Sequence, residues 1–156
     1  MLARVPNRKT GFTLVEILIV VIILGILAAI VIPQFTNASQ YARESALLSQ
    51  LQTLRSQIEL YKLQHKDVLP DLVTNWNPMT TKTTIDGAPS VNPNDFGPYM
   101  QSAPSNPINT LTNVTNGNTA LGSAAADCGF IYDYNAGAGT GRIWGTGVDK
   151  RLKFPE

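Results

Sequence analysis

The ionisable residues that could do chemistry in this 156-residue chain are few and scattered. Glu16 is the only charged side chain between Phe12 and Ile32. The single histidine, His65, and the single cysteine, Cys128, stand far apart in sequence. No G-x-S-x-G, H-E-x-x-H, phosphate-binding loop or C-x-x-C pattern accompanies them, so no nucleophile has a base at a known spacing. One cysteine also excludes an intramolecular disulfide and reads as a small buried hydrophobe. His65, near a predicted helix end, reads as a solvated partner of the helix dipole. Enzyme chemistry is therefore not expected. The residue that demands an explanation is Glu16.

The element that carries it is the run FTLVEILIVVIILGILAAIVI, residues 12–32. As a helix it is roughly 31 Å long, close to the hydrocarbon thickness of a bilayer. A helix satisfies its own backbone in lipid, so the run is expected to span. An acidic group at bilayer depth costs roughly 2.5–3.5 kcal/mol on insertion scales and normally has a partner and a task. Ahead of it, residues 1–11 carry Arg4, Arg8 and Lys9 and no acid, which keeps that flank cytoplasmic and places the chain after Ile32 on the far side. The run is too long for a secretory signal core and lacks a following A-x-A site. A formal net charge of +1 leaves no basic surplus for nucleic acid.

Lys9-Thr10-Gly11-Phe12-Thr13-Leu14-Val15-Glu16, followed by the apolar run and Pro33, resembles the N-terminal signature of type IV pilins and pseudopilins. The resemblance implies cleavage between Gly11 and Phe12 by a prepilin peptidase, and methylation of Phe12. It also gives Glu16 a role. The new amino group of Phe12 and the Glu16 carboxylate can compensate each other where water is excluded, within a subunit or between neighbours, making Glu16 a register mark for assembly. Gly25 and Ala29 form a small-xxx-small pair that lets helices approach closely. Pro33 removes a backbone donor, and a kink or loosening is expected over Gly25–Pro33.

Past Thr36 the apolar period continues as a helix. Tyr41, Leu47, Leu48, Leu51, Leu54, Ile58 and Tyr61 make one face, five of them spaced 4, 3, 4, 3. The helix is expected to stop before Pro70. Residues 68–126 read as a long, proline-punctuated loop with a helical piece around Asn94–Met100, held down by Trp76, Phe96 and Tyr99. Phe96-Gly97-Pro98-Tyr99 and Ser105-Asn106-Pro107-Ile108-Asn109 resemble a "GPY…NP" segment of pseudopilins. Residues 129–134 and 142–144 read as a hairpin around a glycine-rich turn, with Phe130, Tyr132 and Tyr134 on one face against the helix. Residues 150–156 read as a polar tail.

The expected architecture is α+β and type IV pilin-like: a cleaved leader (1–11), a transmembrane and polymerisation helix (12–35), an amphipathic helix (36–67) and a C-terminal domain (68–156) with a hairpin or small antiparallel sheet. The implied partners are other copies and pilin-like subunits, the prepilin peptidase, an inner-membrane assembly platform and the bilayer, with the C-terminal domain periplasmic or extracellular. The absent disulfide and the GPY…NP segment favour a type II secretion pseudopilin over a surface pilin for adhesion, motility or DNA uptake. A membrane-tethered binding module is the third reading. The resemblance further implies calcium in a C-terminal loop. Asp86, Asp95, Asp127, Asp133 and Asp149 offer oxygens, but no dense acidic loop specifies ligands.

Overall fold

The computed structural model describes residues 11–117 and 127–148. It divides into two compact units, Met1–Ser39 and Gln40–Glu156. Helix α1 is Leu14–Gln64, and it contains Pro33 without interruption. In the first unit no apolar side chain of α1 is buried. Phe12 is 83% exposed, and even the most covered large side chain, Val31, is 39% exposed. Thr36 Oγ1 donates to the Ile32 carbonyl within this unit, 3.2 Å away.

In the second unit α1 buries Leu47, Leu51, Leu54, Ile58 and Tyr61. Their 4, 3, 4, 3 spacing returns to one side of a 3.6-residue helix, which is the stripe a core requires. Tyr41 and Leu48 lie off that stripe and are exposed, a correction to the wider face expected. The helix closes on itself at its C-terminus. Asp67 N–H donates back to the Lys62 carbonyl, and Lys66 and Asp67 both adopt positive φ, which turns the chain away. Lys62 in the last turn suits the helix dipole and pairs with Glu59 at 3.2 Å.

Against the stripe lies a three-stranded sheet in the order β1 (Val114–Asn116), β2 (Phe130–Tyr132) and β3 (Ile143–Gly145). β2 and β3 form the expected antiparallel hairpin, with Ile131 opposite Trp144. β1 pairs with β2 in parallel, so the sheet is mixed. This strand was not anticipated. Its three residues, VTN, hold one apolar side chain, and no alternation can show in so short a run. Phe130, Tyr132, Ile143 and Val114 join the helix stripe in one core with Leu69, Leu72, Trp76 and Met79. Ile131, Trp144 and Cys128 make a second buried cluster.

The connection from α1 to the sheet is anchored rather than loose. A short helix α2, Asn77–Thr80, starts on Pro78 and buries Met79. The Met79 carbonyl accepts from both Tyr99 and Met100 N–H groups. Trp76 Nε1 donates to the Thr112 carbonyl at 2.7 Å, and its ring meets Phe130 edge-on at 5.8 Å. The helical piece expected around Asn94–Met100 is absent. Asn92 instead closes a side-chain turn onto Asn94, and Gly97 adopts φ +78, so the backbone leaves helical space. Phe96 pairs with Thr83 in an isolated bridge through two backbone bonds.

Gly145 marks where sheet and helix touch most closely. A Cβ there would lie 2.7 Å from both methyl carbons of Leu47. Gly145→Ala is therefore expected to cost about 1–3 kcal/mol by overpacking, read as a lower unfolding midpoint.

Candidate functional site

The start of α1 is built by four residues, Thr13-Leu14-Val15-Glu16. Thr13 stands at the N-cap and Glu16 three residues on. The Thr13 N–H and the Thr13 hydroxyl both donate to Glu16 Oε2 at 2.8 Å, while the Glu16 N–H donates to Thr13 Oγ1 at 3.3 Å. This is a reciprocal capping box, which satisfies backbone donors that a helix start otherwise leaves orphaned. It also fixes where the carboxylate sits. The acid, whose expected partner is the Phe12 amino group, is held here by its own helix end, and its negative charge complements the positive end of the helix dipole. Thr13 escaped the sequence reading, although T-x-x-E ahead of an apolar run is the signal that finds it. Thr13→Val, which keeps the shape and removes the hydroxyl, is expected to cost the cap about 1 kcal/mol. Hydrogen exchange in the first turn of the full chain in micelles should quicken accordingly.

Gly11, Phe12 and Thr13 precede the helix and are exposed. Nothing lies within 4 Å of a Cβ built on Gly11. Among the described residues nothing covers the Gly11–Phe12 peptide. Residues 1–10, with the basic leader charges, lie outside the described part. C-terminal to the box, α1 is long and apolar enough to cross a membrane, with a mean hydropathy of 3.3 over its best window and none of that window buried. Soluble monomers rarely expose an apolar surface of this extent, and such surfaces mark contact with lipid or with other protein. Gly25 and Ala29 lie in this stretch, and Gly25 has open space around it.

The remaining reactive groups are structural. His65 was expected at the surface and is wholly buried. Its Nδ1 bonds the Tyr61 carbonyl at 2.8 Å and its Nε2 the Thr83 hydroxyl at 2.9 Å, while its ring stacks on Tyr61 at 3.8 Å. The left-handed turn at Lys66–Asp67 brings the following chain back over it, a long-range placement that local pattern does not encode. Cys128 is free and buried, and burial pushes its thiol up, away from a reactive thiolate. Tyr99 donates to Gln64 Oε1 at 2.6 Å, and burial pushes its phenol up to about 12.

The described carboxylates do not gather into a calcium site. Among the described residues no three His, Cys, Asp or Glu side chains converge. Asp133 Oδ2 accepts from the Thr140 N–H and hydroxyl, Asp86 pairs with Lys66 at 2.7 Å, and Asp95 accepts from Ser90. Residues 109–126 contain no acid. The residues described do not fit a calcium site; Asp149 lies outside them, as do residues 150–156.

Comparison with known proteins bears on the capped, apolar N-terminus first. Residues 6–32 match the prokaryotic N-terminal methylation motif. Beyond the motif, the chain is 32% identical over 125 residues to the type II secretion system core protein G of Pseudomonas aeruginosa, covering 78% of this chain and 86% of that protein. The chain belongs to the type II secretion system core protein G family. The counterpart in Pectobacterium carotovorum is 32% identical over 103 residues, 66% of this chain and 64% of its own length. That of Escherichia coli K12 is 26% identical over 136 residues, 72% of this chain and 94% of its own. The match thus spans just under two thirds of some core protein G chains and nearly all of others. No solved structure matches the chain. The long apolar helix followed by a small three-stranded domain accords with the pilin-like α+β fold expected of this family.

Proposed function

We propose that this chain is a structural subunit of a type II secretion pseudopilus, which assists export of folded proteins across the outer membrane. The observation that carries the reading is the unburied apolar half of α1, charged only at its capped start. Such a helix needs lipid before assembly and neighbouring helices after it. In this reading residues 1–11 are a leader, 12–35 the anchor and polymerisation segment, 36–67 the amphipathic segment, and 68–156 the C-terminal domain, held on the periplasmic side of the inner membrane. The exposed Gly11–Phe12 peptide is cut by a prepilin peptidase and Phe12 is methylated. Gly25 and Ala29 give neighbouring helices close approach, and the missing donor at Pro33 lets the helix loosen as it packs. Glu16 sets the register against the Phe12 ammonium, and an inner-membrane platform supplies subunits to the growing filament.

The test is the mass of the N-terminal peptide, taken separately from membranes and from a sheared surface fraction. A methylated peptide beginning at Phe12 and confined to the membrane and periplasmic pool is the expected result. The same peptide found mainly in the sheared fraction would make the chain a surface pilin. An intact N-terminus would leave only a membrane anchor.

A further inference from the structure

Asn116 and Gly117 are the one Asn-Gly pair in the sequence, and they stand at the end of β1. In such a pair the glycine nitrogen can attack the side chain before it, because no Cβ shields that nitrogen or restricts its backbone. The structure holds both residues in place. A Cβ on Gly117 would lie 2.4 Å from Ile131 Cγ2, and Ile131 is wholly buried, so packing favours glycine there. Asn116 is exposed, and its Oδ1 accepts from the Tyr134 N–H at 3.3 Å and the Asn135 N–H at 3.2 Å. It thereby ties β1 to a turn in which Asn135 and Ala136 both adopt positive φ.

Those two bonds also have a chemical consequence. Two N–H donors on one carbonyl oxygen draw charge from its carbon and stabilise the oxyanion that attack creates. The amide carbon of Asn116 is therefore an activated electrophile, while its Nδ2, the group that would leave, takes no part in the bonds. The nucleophile is withheld. The Gly117 N–H donates to the Tyr132 carbonyl at 3.1 Å, at the end of the β1–β2 pairing. The extended backbone of a strand also turns that nitrogen away from the preceding side chain. Strand ends open more readily than strand centres.

We infer that Asn116 is a self-modification site, which deamidates when the Gly117–Tyr132 bond at the end of β1 opens. The Gly117 nitrogen then bonds to Asn116 Cγ, the Cγ–Nδ2 bond breaks, and ammonia leaves with the glycine proton. Water opens the resulting cyclic imide, and nothing is oxidised or reduced. Attack of water at Cγ gives aspartate on an unchanged backbone, and its carboxylate keeps both N–H bonds with added charge. Attack at the backbone carbonyl gives isoaspartate, which routes the chain through the side chain and adds one backbone carbon ahead of Gly117. That extra carbon shifts Gly117 out of register with Tyr132, so the isoaspartate form loses the closing bond of β1.

The test incubates the full chain in detergent micelles at mildly alkaline pH, folded or unfolded with guanidinium chloride. Peptide fragmentation locates each amide-to-acid mass change over time, and hydrogen exchange at Gly117 is followed in parallel. In the unfolded chain, conversion is expected first at Asn116, as a mixture of aspartate and isoaspartate. Deamidation and exchange draw on the same open state when opening is fast. The folded chain is therefore expected to convert Asn116 more slowly, by about the factor by which it protects the Gly117 amide. An Asn116 that outlasts the other asparagines of the unfolded chain would overturn the site. Equal rates in the folded and unfolded chain, or a slowing far beyond that of exchange, would overturn the role of the strand end. None of these readouts requires a filament, so they stand apart from the test of the proposed function.

Discussion

Glu16→Ala is expected to leave the Gly11–Phe12 cut intact and to reduce assembled filament at least about 100-fold. In the proposed register, where Glu16 meets a Phe12 ammonium between packed helices, the magnitude follows from stranding one member of a buried ion pair, which costs roughly 3–5 kcal/mol, against 1.4 kcal/mol for each tenfold in an equilibrium. The capping box divides this effect into two parts. Both bonds that the Glu16 carboxylate accepts from Thr13 fall on Oε2, leaving Oε1 for a second charge. Glu16→Gln can still accept from Thr13 through its amide oxygen, and so keeps the helix start while losing the charge. It is expected to assemble almost as poorly as the alanine variant. Immunoblots of filament fractions, with N-terminal masses to confirm cleavage, make the comparison. Wild-type filament yield from the glutamine variant would remove charge from the mechanism and leave only the cap.

Phe130→Ala is the second large effect. The side chain is fully buried in β2, within the main core and edge-on to Trp76. Truncating a buried phenylalanine costs about 3–5 kcal/mol, through lost transfer energy and a residual cavity. A native domain is stable by only about 5–15 kcal/mol, so much of the margin goes with one ring. A steep fall in unfolding midpoint is expected, while Val148→Ala, at a 78% exposed position, should leave it nearly unchanged. Equal midpoints for the two variants would mean that the sheet face is not the core.

What could be read from the chain itself follows the range of the forces involved. The burial stripe Leu47-Leu51-Leu54-Ile58-Tyr61 was legible because helical period and core contact coincide over several turns. Tyr41 and Leu48 were misplaced because an apolar residue off the stripe looks no different from one on it. The β2–β3 hairpin was legible from its aromatic alternation and its glycine-rich turn. β1 was not, since a three-residue strand exists only by virtue of its partner. His65 needed knowledge of Thr83, eighteen positions away. At the N-terminus the glutamate stood out for its charge, while the threonine that holds it was passed over as an ordinary polar residue. The burial of Asn106 was half visible: it lies in a recognisable NP segment, but the Gly129 and Thr146 carbonyls it bonds come from two distant strand ends.

The hairpin that completes the core is made well after the helix stripe it closes on. Arg55 on α1 donates through Nε and Nη2 to the Ile143 carbonyl, 88 positions later, and Gly145 fits against Leu47. The Leu47–Tyr61 stripe therefore has no sheet to close on until the ribosome has passed Thr146. Until then an apolar anchor and an apolar stripe are both exposed on a growing chain. Contacts so distant in sequence pay their loop-closure entropy before any of them is rewarded, so the domain closes late and all together. A helix long and apolar enough to cross a membrane is thus made well before the domain behind it has the strands it needs to close.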